Sequence, residues 1–322
     1  MTLGSVGRLF LIVAVFSLSL AWGIGRAMTD RISSIQFLHW IPTIVVLVIT
    51  VLGASALSCS KWRRCRRLLW MIACVQAVVF IAQDYGIARA RSIIADDERS
   101  LIRIAHINVN WPGENAQEIA RGLSNSFGDM YGEQGPDVLF ISEYGGVLAA
   151  SIAPMYCAPD TTAVSIGRFA VVGRVPIVEV FPLCDDRKST AVFVRFAPWN
   201  GNPSWAAILV DVPSDPAISR VKVLGELRAH LDALSAPSPD LIVGDFNTAR
   251  GGESIRAFAP KMHDAFSQAG VGFGATFPRA FPLWHIDQML LATRVTVLRY
   301  EIVDTGIGKH RMQTAVIRIA SE

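Results

Sequence analysis

Seventeen consecutive uncharged residues, Leu9 to Gly25, separate Arg8 from Arg26, and a second stretch, Ile32 to Ser60, carries no charge at all. A helix needs roughly 20 apolar residues to cross a hydrocarbon core, so both stretches predict transmembrane helices, the second with a kink near its start at Pro42. A third run, Leu68 to Gln83, reaches spanning length if it extends through Ala88, which places Asp84 at the interface rather than mid-bilayer. The spans are expected at about 9–28, 35–58 and 68–88. Two further apolar runs after the first, and no sharp A-x-A site, favour an anchor over a cleaved signal peptide.

Charge between the second and third spans sets the orientation. Lys61, Arg63, Arg64, Arg66 and Arg67 place five cations in seven residues, and so short a basic loop stays in the cytoplasm. The expected product is a multi-pass protein of the cell membrane, with a cytoplasmic N-terminus and everything after about residue 90 extracytoplasmic. With 52% hydrophobic and 18% charged residues the chain is neither wholly soluble nor disordered. Residues 1–90 hold nine Lys/Arg and two Asp/Glu, and the rest hold 21 and 25, so the net charges are +7 and −4. The outer part thus lacks the positive face that nucleic-acid binding requires.

Residues 1–90 therefore form the membrane region, 91–100 a charged linker with Arg91, Asp96, Asp97, Glu98 and Arg99, and 101–322 an outer domain large enough for a full core. Ten short runs rich in Val and Ile, from Leu101–Val109 to Thr314–Ile319, predict strands. Helical spacing recurs at Ile119, Leu123 and Phe127, and at Leu224, Leu227, Leu231 and Leu234. Many strands with few, spaced helices predict an α/β architecture: a four-layer sandwich of two packed mixed sheets flanked by helices, preceded by three transmembrane helices. Cys157 and Cys184 are the two cysteines of the outer domain, and an oxidising compartment would let them bridge.

Several strands end in polar side chains that a core does not require. Asn108 and Asn110 follow Leu101–Ile107 and share one side of the sheet by the period of two. Glu143 follows Val138–Ser142, while Asp245 and Asn247 follow Leu241–Gly244. His285 and Asp287 open one strand on a common face, and Lys309-His310 precedes the last. Any one of these reads as a turn residue, but five in order read as a site. Carboxylates and amides are hard oxygen ligands suited to Mg²⁺ or Mn²⁺, and an Asp beside a His suits an oriented general base.

The stretch from Arg103 to Ile319 resembles the endonuclease/exonuclease/phosphatase family, metal-dependent phosphoesterases sharing the fold of the type I deoxyribonucleases. The resemblance is carried by GDFN at 244–247, NVN at 108–110, DVLFISE at 137–143, HIDQMLL at 285–291 and His310. It implies that Glu143 is the principal metal ligand, with Asn108 close by. Asp245 would orient or activate the attacking water, Asn247 would donate to a phosphoryl oxygen, and His310 would pair with Asp287. Two positions depart from the family pattern: Gly308-Lys309-His310 replaces Ser-Asp-His, and the strand after Ala206 ends at Asp211 rather than a histidine. Asn110, Asp211 and Lys309 are the candidate substrate-binding residues.

The expectation is a membrane-anchored hydrolase, dependent on Mg²⁺ or Mn²⁺, acting on a phosphoester or pyrophosphate of a phosphorylated small molecule or a lipid-linked phosphate at the outer face of the bilayer. A membrane-tethered subgroup of the family has a similar layout. The rival readings are a catalytically degenerate member that binds a phosphorylated ligand or partner, for which Lys309 argues, and an extracytoplasmic nuclease, which the negative domain charge disfavours.

Overall fold

The computed structural model describes residues 3–57, 60–87, 100–110, 119, 121–123, 125–126, 135–143, 161–185, 189–234 and 238–321. Its strands are β1 (Tyr85–Gly86), β2 (Ile102–Asn108), β3 (Val138–Ser142), β4 (Thr162–Ile166), β5 (Phe169–Gly173), β6 (Ile177–Asp185), β7 (Thr190–Phe196), β8 (Trp205–Asp211), β9 (Leu241–Asp245), β10 (Met262–Asp264), β11 (Gly270–Phe273), β12 (Asp287–Ala292), β13 (Val295–Val303) and β14 (Met312–Ile319). Each of the ten apolar runs becomes one of these strands. The four that the hydrophobic pattern missed, β1, β4, β10 and β11, are short edge or near-edge strands with little apolar character. An eight-stranded sheet runs β1-β11-β13-β14-β2-β3-β5-β4, and a six-stranded sheet runs β10-β12-β9-β8-β7-β6.

Three apolar clusters correspond to the three interfaces of a four-layer sandwich. Between the sheets, Phe196 stacks on Trp205 at 4.1 Å and meets Phe140 edge-on at 6.1 Å. On the outer face of the six-stranded sheet the helix Arg220–Ala233 lays Leu224, Leu227 and Leu231 over Phe193, Ile208 and Ile242. Leu234, expected on the same stripe, is exposed, because the helix has already ended at its C-cap. On the outer face of the other sheet Ile119 and Leu123 cover Ile107, Leu139 and Val172. Phe127 and Cys157 lie outside the described residues, and so does the expected linker up to Arg99.

The N-terminal region contains α1 (Leu3–Met28), α2 (Gln36–His39), α3 (Thr43–Ala56) and α4 (Arg63–Val79), the last prolonged by a π turn to Asp84. Val6–Met28 and Arg63–Asp84 are each long and apolar enough to cross a bilayer. The second expected span differs: the chain bends by 64° at the break around Pro42, between Ser33–His39 and Thr43–Ala56. Proline lacks the amide that would continue the helix, so the 14 residues of α3, about 21 Å at 1.5 Å per residue, carry the straight part alone. Polar groups inside the bundle pair with one another. Gln76 Nε2 donates to Ser19 Oγ (3.3 Å), Ser19 pairs with Thr50 Oγ1 (3.3 Å), and Thr50 donates to the Val46 carbonyl (2.8 Å). Such a chain satisfies each hydroxyl where lipid cannot.

One end of the helical bundle is joined directly to the sandwich. Arg26, at the end of α1, pairs with Asp84 (3.3 Å) and donates to Thr43, so three helix ends meet there. From Asp84 the chain passes straight into β1, which pairs antiparallel with β11, and Gly274 N donates to the Asp84 carbonyl (3.1 Å). The Lys61–Arg67 turn sits at the opposite end of α3 and α4. A reporter fused at residue 64 should therefore behave as cytoplasmic and one fused after residue 95 as extracytoplasmic, since the cation cluster resists translocation. Cytoplasmic behaviour of the second fusion would reverse the assigned orientation.

Candidate active site

Register places the site. On adjacent strands of the six-stranded sheet Asp211 of β8 pairs with Asp245 of β9, and Asp245 pairs with Asp287 of β12. Three aspartates thus stand in one row across the strand ends, all buried. In the facing sheet β2 and β3 run parallel and bring Asn108 level with Ser142, so Asn108 and Glu143 emerge at the same end of the sandwich. Asn108 Nδ2 crosses between the sheets to donate to Asp245 Oδ2 (3.0 Å).

The residues just past the strands turn sharply. Asn110, Glu143 and Asn247 have φ of 52°, 53° and 44°, in the left-handed region. For a glutamate this conformation costs on the order of 1–2 kcal/mol, and such strain concentrates at functional sites. Asn110 Nδ2 holds Glu143 Oε2 (2.8 Å), and Asn110 N donates to Asn108 Oδ1 (2.8 Å). Asn247 N donates to Asp245 Oδ1 (2.8 Å), while its Nδ2 donates to the Val212 carbonyl (2.8 Å), leaving a second amide hydrogen. Gly244 explains the first letter of GDFN: its φ is 151°, and a Cβ there would lie 1.8 Å from the Val210 carbonyl of the neighbouring strand.

His310 closes the cleft. Its Nδ1 donates to Asp287 Oδ2 (2.9 Å), and Nε2 lies 3.8 Å from Asp245 Oδ2. Burial alone would lower the imidazole, but Asp287, by charge and hydrogen bond, and then Asp245 and Glu143 push it up to about 9. Burial, then the charge of Asp287, pushes the Asp245 carboxyl well above the usual range, whereas His310 holds that of Asp287 down against its own burial. Asp211 rises to about 6 through burial and the charges of Glu143 and Asp287, opposed by Arg168 at 2.6 Å. Beneath the row, Gln313 Nε2 donates to His106 Nδ1 (2.8 Å), so His106 Nε2–H faces Ser142 Oγ (2.9 Å), and burial lowers this imidazole to about 4.

Asn108, Asn110, Glu143, Asp211, Asp245, Asn247, Asp287 and His310 are thus joined by direct contacts or by charge. Lys309 is exposed, and its described hydrogen bond is through the main chain, the carbonyl accepting from Arg279 N (2.6 Å). His285 lies just before β12, which begins only at Asp287. It packs edge-on against Phe266 at 5.2 Å. Sequence reading missed Arg168, on the turn between β4 and β5, and the His106–Gln313 pair. The alternation of β2 and β14 signals the latter only in retrospect, as buried polar residues among aliphatic ones.

The donor set fits a hard divalent cation. Four carboxylates share the cleft with two cationic side chains, Arg168 and His310, and Asp287 Oδ1 is buried without a hydrogen-bond partner. Ligand atoms of Asp245, Asp287 and His310 lie within 4.8 Å of one another. His310 is engaged through Nδ1 by Asp287, and Glu143, Asn108 and Asp245 make up the oxygen side of the cleft.

Among solved structures, a protein of unknown function from Enterococcus faecalis V583 superposes with a TM-score of 0.53 at 18% identity, over 68% of this chain and 100% of its own. An endonuclease/exonuclease/phosphatase protein of Bacteroides vulgatus gives 0.50 at 16% identity, over 68% and 99%. The mannosyl-6-phosphatase of Bacteroides thetaiotaomicron gives 0.50 at 16%, over 67% and 99%. The sandwich has the endonuclease/exonuclease/phosphatase fold. No protein-family model and no curated protein sequence matches the chain.

Glu143→Ala and Asp245→Ala should each reduce metal-dependent phosphoester hydrolysis by roughly 100-fold or more while leaving thermal unfolding cooperative, because both side chains end in the cleft rather than in the apolar core. Lys309→Asp, on an exposed side chain, should change the same rate by less than about threefold. Retained turnover in both alanine variants would remove these residues from the site.

Proposed function

We propose that this protein is a membrane-anchored phosphoesterase, dependent on Mg²⁺ or Mn²⁺, that hydrolyses a phosphoester or pyrophosphate of a lipid-linked phosphate at the extracytoplasmic face. The row of Asp211, Asp245 and Asp287, with His310 bound to Asp287 and Glu143 opposite, carries this reading. The metal, when bound, would neutralise charge on the phosphoryl group and sharpen its electrophilicity.

The chain's own residues supply the rest. Asp245, kept basic by burial and fixed by Asn108 and Asn247 N, orients the attacking water and takes its proton. Asn247 offers its remaining amide hydrogen to a phosphoryl oxygen. Asp287 fixes the His310 ring through Nδ1, so Nε2–H is the group that can protonate the leaving oxygen as the phosphorus–oxygen bond breaks. Arg168 keeps Asp211 paired next to Asp245.

Two observations favour a membrane-borne substrate over nucleic acid. The domain, residues 101–322, carries a net charge of −3, which repels a polyanion. The cleft also lies on the bundle side of the sandwich: Trp284 Nε1 donates to the Trp40 carbonyl (2.8 Å), Trp284 packs on Phe277 (6.3 Å), and Phe277 packs on His310 (4.8 Å). A headgroup whose tail stays in the bilayer has a short path to such a cleft.

The full chain in lipid nanodiscs should hydrolyse a chromogenic phosphodiester with Mg²⁺ or Mn²⁺, lose this on EDTA treatment and regain it on metal addition. Its kcat/KM should be higher for a polyprenyl phosphoester in the same disc than for a single-stranded oligonucleotide. Metal-independent turnover would contradict the chemistry, and preference for the oligonucleotide would contradict the substrate class.

A further inference from the structure

The stretch between α1 and α3 touches three of the loops beside the cleft, those after β8 and β9 and the one before β12. Thr29, with φ of 52°, turns the chain at the end of α1 and sends Asp30 into the domain, where it is completely buried. Asp30 accepts from Ser254 N (3.1 Å), from Ser254 Oγ and from Thr248 Oγ1 (3.4 Å). The space is shaped for it: a Cβ on Gly252 would lie 2.8 Å from Asp30 Oδ2. Thr248 directly follows Asn247, so this carboxylate holds both ends of the loop from Phe246 to Ser254, which hangs from Asp245.

Gln36 holds the neighbouring loop. Its Nε2 donates to the Pro216 (2.8 Å) and Ile218 (3.0 Å) carbonyls, and its Oε1 accepts from Arg220 N (3.2 Å). Arg220 in turn donates to the Pro213 carbonyl (2.6 Å), just past the Val212 carbonyl that receives Asn247, and its guanidinium lies over Trp40 at 5.4 Å. With Trp284 on the Trp40 carbonyl, the loops after β8 and β9 and the one before β12 are each fixed by residues 30–40.

A buried carboxylate is costly unless its oxygens are satisfied, and here the donors are a main-chain amide and two hydroxyls rather than a cation. Removing it leaves those donors unpaired inside the loop that sets Asn247. We propose that Asp30 is a positioning residue of the active site, supplied by the membrane region, so that membrane region and sandwich form one catalytic unit. This rests on the phosphoesterase reading above.

The test uses the full chain in nanodiscs with the chromogenic phosphodiester and Mg²⁺. Asp30→Ala should lower kcat by about tenfold or more with KM within about twofold, since misplacement by a fraction of an ångström acts on the reacting geometry and not on binding. Hydrogen exchange should accelerate in residues 246–254 and stay unchanged in β7. Asp30→Asn, which keeps an acceptor for the Ser254 amide, should recover kcat to within about threefold of the parent. If the alanine variant does not purify folded, Ser254→Ala, which removes the partner hydroxyl from the domain side, is read in the same way. Arg31→Ala, which breaks an exposed ion pair to Glu253, should leave kcat unchanged. An active parent with Asp30→Ala, or in its place Ser254→Ala, within twofold in kcat and with unaltered exchange would overturn the proposal. An inactive parent would overturn the functional reading and the proposal with it.

Discussion

Three aspartates in lateral register are the constraint around which the outer domain is arranged. Neighbouring strands lie about 4.8 Å apart, so burial and the charge of their neighbours together hold the Asp211 and Asp245 carboxyls above the usual range. Each has its own compensation. Arg168 faces Asp211, Asn108 and the Asn247 amide face Asp245, and His310 faces Asp287. The remaining imbalance, together with Glu143 opposite, is what a divalent cation would relieve, and it is why the same row is suited to a phosphoryl group brought in with that cation.

The sheets exist to hold this row. Continuous apolar runs on β8 and β9 bury both faces, and the parallel pairing of these two strands puts their carboxyl ends together, where polar side chains can leave the core without creating unsatisfied groups inside it. The left-handed turns at Asn110, Glu143 and Asn247 then bring the next side chains back over the strand ends. Strain at these positions is offset by the packed core below, centred on Phe196 and Trp205.

Much of this was legible in the residues themselves. Val- and Ile-rich runs located the long strands because burial on both faces selects that composition, and polar residues at their ends marked the cleft. Edge strands such as β1 and β10 were not legible, since their pairing depends on neighbours rather than on their own pattern. Arg168 was hidden because a turn arginine has no signature until the opposite sheet delivers Asp211 to it. Asp30 was hidden more deeply: between two apolar stretches it reads as a loop charge at a membrane surface, and only its 218- and 224-residue sequence separations from Thr248 and Ser254 reveal its place. Pro42 signalled a kink, and the 64° bend it accompanies turns Trp40 toward Trp284.

The central claim is that the aspartate row and Glu143 form a site for a hard divalent cation. Electron paramagnetic resonance of Mn²⁺ added to the full chain tests it without reference to any substrate. The parent should bind Mn²⁺ that Mg²⁺ displaces, with affinity falling by at least about tenfold in Glu143→Gln and in Asp245→Asn. Mn²⁺ binding equal in the parent and both variants, or none in the parent, would contradict it.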